Sequence, residues 1–592
     1  MLQLPVLTSR TSSNRCFDVV PSASGPTLVA ALLAEQQSLS AVEHFARWHD
    51  ADDTRGSAPS LATSRYRALL PAAAPQPGQQ YAFEVDLDRC SGCKACVTAC
   101  HTLNGLDVSE TWRDVGLLLG GTRGEPVMQH VTAACHHCLE PACLIACPVN
   151  AYEKDPTTGI VKHLDDQCFG CQYCTMACPY DVPKYHPGKG IVRKCDMCSS
   201  RLKVGEPPAC VQACPHEAIA IRVVSREQVR EDAEAALFLP TAPDPQITLP
   251  TTTYKTRRPF PRNLLPADYF RVNSQHAHWP LVVMLVLTQL SVGAFVVNLV
   301  FGGLLGDPAE PRLPQLHAVS ALSFGLLALS ASLLHLGRPC FAFRAVLGLR
   351  HSWLSREIVA FGLFALLALI YASVLLTTQR SSVAEHGLAA LHATHVANWK
   401  IWLGWSVATS GALGVFCSVM VYVFTGRECW SFTRVALRFS FTAAILGVAA
   451  AWLSILMAML VLPSGGMLHV VREHGPLLCQ TLMVLALAKL VCEVARLRHL
   501  LFARMSPLKR SALLHTRELS NVTLARFALG LLGGLVMPAM LLEKLPTLSG
   551  NNIASFAAIT GLLFAANLAG ELLERYLFFA ACAAPRMPGG IR

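Results

Sequence analysis

The stretch "CSGCKACVTAC" places Cys90, Cys93, Cys96 and Cys100 within eleven positions, and three more cysteine groups follow it. "CHHCLEPACLIACP" holds Cys135, Cys138, Cys143 and Cys147, and "CFGCQYCTMACP" holds Cys168, Cys171, Cys174 and Cys178. "CDMCSSRLKVGEPPACVQACP" holds Cys195, Cys198, Cys210 and Cys214. Thiolates separated by two residues can wrap three corners of one cubane. A cysteine three or four positions further on sits at a helix start and points away, towards a neighbouring cluster. Sixteen of the 23 cysteines fall into such groups, which predicts four [4Fe–4S] clusters in two interleaved pairs. Zinc sites usually take separated C-x-x-C pairs and seldom a third thiolate two residues further on. The remaining seven, Cys16, Cys340, Cys417, Cys429, Cys479, Cys492 and Cys582, are scattered and read as small apolar side chains.

The chain that must position these thiols is strongly apolar. Of its 592 residues 52% are hydrophobic and 15% charged, and the mean hydropathy of +0.40 is too high for an ordinary soluble enzyme. The apolar content is concentrated after Trp279. Eight segments there are long enough to cross a bilayer: 279–305, 315–336, 357–378, 401–424, 440–462, 475–495, 523–543 and 553–581. An even number puts the cysteine module and the C-terminus on one side. Loops on that side carry twenty-one Lys and Arg against five opposite, so the positive-inside rule places the module in the cytoplasm of a cell whose inner membrane holds the spans. Disulfides do not suit a module on that side. The net charge of +10 is carried mostly by these short loops, which argues against a nucleic-acid partner.

Four regions follow. Residues 1–80 hold an amphipathic helix over 26–49, expected to pack on the module, and an Ala/Pro/Ser-rich linker. Residues 81–225 are the cysteine module, 226–275 a proline-rich extended linker, and 276–585 the membrane part. The N-terminus shows no twin arginine, continuous apolar run or A-x-A site, and so does not read as a signal peptide.

Ionisable residues inside spans cost about 2.5–3.5 kcal/mol each at mid-membrane, so each needs a reason. His335 ends the second span, Glu357 opens the third, and Glu571, Glu574 and Arg575 lie near the end of the eighth. By span direction all five fall in the half nearest the cysteine module. Glu574 and Arg575 suit a structural ion pair. His335 and Glu357 are left as functional candidates.

The cysteine groups, in this order and with the fourth one stretched, resemble the iron–sulfur subunit of the dimethyl sulfoxide reductase family of molybdoenzymes. "AHWPLVVM", "SLLHLGRP", "SWLSREI" and "AGELLERY" resemble that family's eight-helix, menaquinol-oxidising membrane anchor. The resemblance implies a ferredoxin-like α+β module with four clusters, fused to an all-α eight-helix transmembrane bundle. It implies these ligand sets: Cys90, Cys93, Cys96 with Cys214; Cys195, Cys198, Cys210 with Cys100; Cys135, Cys138, Cys143 with Cys178; and Cys168, Cys171, Cys174 with Cys147. Nitrate reductase relatives carry tryptophan where Cys171 stands here, so a fourth cubane is expected. The anchor's histidine and glutamate match His335 and Glu357, with Glu571 beside them as a further candidate at the quinol site. A His and a carboxylate suit quinol oxidation, which releases two protons with two electrons.

The implied partners are a molybdopterin catalytic subunit, the membrane lipid and the quinone pool. No pterin-binding domain is visible in the sequence, which puts the terminal catalytic site on another chain. The same parts could run in reverse, from a dehydrogenase into quinone. A transporter with an iron–sulfur domain would instead place polar residues at mid-membrane. No facing histidine pairs suggest a haem. His101, where proline follows the last cysteine of the other three groups, leaves the role of Cys100 intact, since proline supplies no ligand.

Overall fold

The computed structural model describes residues 66–592 except 109, 302–311, 379–387, 462–464, 549–551 and 590–592. The helix expected over 26–49 and most of the 50–80 linker lie outside the described residues. Residues 65–592 form one compact unit.

The cysteine module is built on small sheets. Gln79–Asp86 pairs antiparallel with Ile219–Ser225, so that strands from the two ends of the module lie side by side. Asp114–Gly121 and Pro126–Ala133 form a hairpin, and two shorter hairpins join Tyr152–Lys154 to Val161–His163 and Lys184–His186 to Ile191–Arg193. Phe83, Val85, Val131, Ile219 and Ile221 fill the core with Cys96, Cys135, Cys138, Cys195 and Cys210, so the thiols sit in apolar packing.

Each cysteine group folds as a loop that turns into a short helix. Gly92 and Gly170 have φ +76° and +75°, and Lys94 and Gln172 after them are also left-handed, which folds the C-x-x-C-x-x-C runs back on themselves. The helices Ala142–Ala146, Tyr173–Ala177 and Ala209–Gln212 all stop just short of Cys147, Cys178 and Cys214, each followed by proline. A proline's preceding residue is pushed out of the helical region, which ends these helices. With His101 in that place, Ala95–Leu103 runs on past Cys100.

Residues 226–275, expected as an extended linker, fold onto the module instead. Arg226–Glu234 is a helix, Thr253–Lys255 runs parallel to Gln79–Asp86, and Leu265–Pro266 pairs with Asp114–Gly121. The prolines that suggested extension occupy positions needing no N–H: Pro266 lies on a sheet edge and Pro245 opens a 3-10 turn.

Eight helices in the described residues are long and apolar enough to span a membrane: 279–300, 313–333, 353–377, 399–423, 432–461, 467–501, 520–544 and 553–580. The first and fifth cross closely at Gly293 and Gly447, where an added Cβ on either would meet the other helix's backbone. In the seventh, a π-turn at Leu532–Val536 bends the ladder, and the Asn567 amide donates to the Gly533 carbonyl at 2.8 Å. Both ring nitrogens of His317, in the second span, are engaged, by Ser454 Oγ at 2.9 Å and Ala294 O at 2.9 Å.

Candidate functional site

The fold brings thiols of different cysteine groups close to one another. Cys90 feels the charge of Cys214 and Cys93, and Cys96 that of Cys210 and Cys214. Cys100 faces Cys198 and Cys210, away from its own group. Cys143 faces Cys135, Cys138 and Cys178, and these four line one small cavity. Cys174 faces Cys147, Cys168 and Cys171. Among the described residues no three Cys, His, Asp or Glu side chains converge closely enough to hold a single metal ion. Thiols around a cubane stand further apart than thiols around one zinc.

Hydrogen bonds to sulfur recur, Lys194 Nζ reaching Cys135 at 3.6 Å. Backbone amides of Ala151, Ala218 and Met197 point at Cys147, Cys214 and Cys195 at 3.2, 3.3 and 3.4 Å, and the Asn104 amide reaches Cys100 at 3.6 Å. Such donors stabilise negative charge on a cluster. Two buried cations sit between sets, and the spacing of the cysteines does not single them out. Arg113 faces Cys96, Cys100, Cys195 and Cys210, while Lys194 faces Cys135, Cys143 and Cys195. Their position follows from strand pairing and long-range packing, which local sequence does not display.

The set around Cys147 and Cys174 is the one docked on the bundle. His351 Nε2 meets Cys147 O at 3.0 Å, Ser352 Oγ donates to Ala146 O at 2.6 Å, and Gly348 N donates to Pro148 O at 2.8 Å. Arg338 N donates to Phe169 O at 3.0 Å, and Tyr173 Oη to Val421 O at 2.8 Å. Gly337 lies directly against the backbones of Gly170 and Gly190, where a Cβ on any of the three would collide. Backbone-to-backbone contact of this kind fixes the separation of module and bundle closely.

Beside this junction is a cavity of about 270 Å³. Cys171, Gln172 and Cys178 border it from the module, and His276, His278 and His335 from the bundle. The His276 and His278 rings meet edge-on at 4.8 Å. His335 lies just past the second span, and its Nδ1 is buried without a partner in the protein. Burial, helped by the like charge of His278, pushes His335 down to about 4, so the ring is neutral and able to accept a proton.

The other two candidates do not line this cavity. Glu357 is buried within the third span, accepts from the Ser418 hydroxyl, and lies close enough to Tyr173 and Tyr422 to act on their hydroxyls. Glu571 belongs to a buried ionic network. It accepts from Lys489 Nζ, from Thr442 Oγ1 at 2.7 Å and from Arg526 Nη2 at 3.1 Å, while Arg526 also holds Glu493 at 3.0 Å. Glu574 pairs with Arg438 at 2.5 Å and with Arg575 at 3.6 Å, in keeping with the structural ion pair expected for Glu574 and Arg575. The network spans four helices, and only an acid-base pattern across all of them in the sequence could have revealed it.

Grouped thiols in a module seated on eight apolar helices define a membrane-anchored iron–sulfur electron-transfer protein. Residues 126–224 match the family model of the 4Fe-4S dicluster domain, and residues 272–580 that of the DMSO reductase anchor subunit. The B subunit of the anaerobic dimethyl sulfoxide reductase of Haemophilus influenzae is 34% identical over 30% of this chain and 91% of its own length. The B subunit of the Escherichia coli reductase is 38% identical over 24% of this chain and 72% of its own length. A hydrogenase-2 operon protein of Escherichia coli is 33% identical over 29% of this chain and 59% of its own. The protein belongs to the dimethyl sulfoxide reductase family, as an iron–sulfur subunit and a membrane anchor subunit joined in one polypeptide.

Proposed function

We propose that the chain oxidises a membrane quinol in the His335 cavity and passes the electrons, through four [4Fe–4S] clusters, to a separate molybdopterin catalytic subunit. The observation that carries this reading is the shared cavity: Cys171 and His335 border the same space, so a quinol held against His335 is also against the edge of a cluster-binding set. The clusters, when bound, supply one-electron steps in sequence. Cys168, Cys171, Cys174 and Cys147 would hold the first, and Cys90, Cys93, Cys96 with Cys214 and Cys195, Cys198, Cys210 with Cys100 the pair reached through the Cys135 set.

His335 Nδ1 accepts a quinol proton, as a neutral ring with a free lone pair can. Glu357 takes the second role, holding a proton behind Tyr173 on its way out of the bundle. Glu571 has both carboxylate oxygens engaged and serves the bundle's charge balance, which leaves it outside proton acceptance. Menaquinol is the quinol the family resemblance favours. The loop charges favour a module facing the cytoplasm from the inner membrane.

A fluorescent quinone analogue of the hydroxyquinoline N-oxide type tests the site. It should bind membranes carrying the complex at one per polypeptide and lose affinity in His335→Gln; unchanged binding in the variant removes His335 from the site. A molybdenum-containing subunit should co-purify with the protein, and its absence would contradict the partner assigned here.

A further inference from the structure

Two cysteines that the sequence treats as isolated packing residues meet in space. Cys429 lies in the turn Glu428–Trp430 after the fourth span, and Cys582 just past the eighth, Ile553–Ala580. Their side chains are within hydrogen-bonding reach of each other. The setting is polar: the Ala583 amide and the Ser511 hydroxyl reach Cys429, Pro507 O lies 4.0 Å from its sulfur, and the Arg427 side chain reaches Cys582. The hydrogen bond from Cys582, aided by the Ala583 amide, draws the Cys429 thiol down to about 7, so thiolate is abundant at neutral pH. Both thiols line a cavity of about 50 Å³, room for a few water-sized molecules, and Cys429 is only partly buried.

We propose that Cys429 and Cys582 are a reversible redox pair that hydrogen peroxide closes into a disulfide, tying the turn after the fourth span to the tail after the eighth. Cys429 thiolate attacks one peroxide oxygen, the O–O bond breaks, and the released hydroxide takes a proton to become water. The Cys582 sulfur then attacks the resulting sulfenic acid; the S–S bond forms, the S–O bond breaks, and the hydroxide leaves with the Cys582 proton as a second water. Two thiols lose two electrons and the peroxide gains them.

The joined segments are walls of the His335 cavity, to which Arg427, Trp430, Ala583, Ala584 and Pro585 contribute. A disulfide fixes that wall and slows entry or exit of the quinol, a consequence that rests on the quinol reading above.

The test uses the whole complex in membranes, treated with hydrogen peroxide, denatured, alkylated and mapped by mass spectrometry. Peptides bearing Cys429 and Cys582 should lose both alkylatable thiols together, appear cross-linked, and recover on treatment with dithiothreitol. In Cys582→Ala, dimedone should trap a sulfenic acid on Cys429. Both thiols still alkylated in treated wild-type protein, or loss of the Cys429 thiol without a cross-link, overturns the pair. Quinol-driven cluster reduction should slow several-fold in the cross-linked protein while reduction by dithionite stays unchanged. A cross-link without that slowing overturns the coupling to the cavity, and failure of the quinol reading itself leaves the mapping result intact.

Discussion

His335 and Cys171 border one cavity of about 270 Å³, although they lie on different modules and far apart in the chain. The contact of Gly337 with Gly170 and Gly190 holds those modules together beside the cavity. In the quinol reading proposed above, His335 would take the proton and the cluster held by Cys171 the electron.

His335→Gln should lower quinol-driven cluster reduction about 100-fold or more, the ordinary worth of a positioned base. Cluster signals in electron paramagnetic resonance should stay at wild-type intensity, since His335 is not one of the thiols that would hold a cluster. The pH dependence has a defined sign. His335 is held at about 4, below the ordinary histidine value, so the neutral acceptor is present above that and disappears as pH falls through it. Its contribution to stability runs the same way: complete above about 6.5 and lost as pH falls towards 4. A quinol-oxidation limb near pH 6.5, rising as pH falls, would contradict this environment.

Cys100→Ser should erase most of the cluster held by Cys195, Cys198 and Cys210 and leave the one of Cys90, Cys93 and Cys96 largely intact. The geometry behind this is the turn of Cys100 towards Cys198 and Cys210. Spin quantitation of the reduced protein distinguishes the two signals; loss of the Cys90 cluster alone would reverse the assignment.

Lys194 is buried between two thiol sets, with its charge facing Cys135, Cys143 and Cys195. Lys194→Met removes a cation that stabilises the reduced, more negative cluster. The midpoint potential of the cluster at Cys135 should fall by about 50–100 mV, the worth of one charge at roughly 8 Å in a medium of effective dielectric about 20. A redox titration followed by electron paramagnetic resonance measures it.

Lys489→Met leaves Glu571 with one cation fewer in a fully buried network, and breaking such a pair costs about 3–5 kcal/mol. Thermal denaturation of the purified complex should shift down markedly. Adding Glu571→Gln should recover part of the loss, since the uncompensated charge is then gone and Arg526 keeps Glu493.

The parts of the protein written in local sequence are readable from it. Cysteine spacing gives each loop its neighbouring thiols, because ligands on one loop are fixed by a few residues between them, whereas the fourth member of each set is what the family resemblance implies. Apolar runs anticipate all eight spans; the structure lengthens the sixth to Met467–Leu501, as its helix continues through Pro476 and polar residues that end an apolar run without ending a helix. What depends on distant segments meeting is hidden. Arg113 and Lys194 reach the thiols through strand pairing, His276 and His278 join His335 through helix packing, and Cys429 finds Cys582 across two loops. Residues 226–275 depart from expectation because proline signals extension, when an edge strand or the start of a helical turn accommodates it equally well.

Whether quinol reduces the clusters through the His335 cavity is decided by stopped-flow absorbance of the iron–sulfur bands. Adding menaquinol to anaerobic, oxidised membranes should bleach the bands, and both a quinone-analogue inhibitor and His335→Gln should block the bleaching while dithionite still achieves it. Bleaching by menaquinol that neither the inhibitor nor the variant slows would contradict the account.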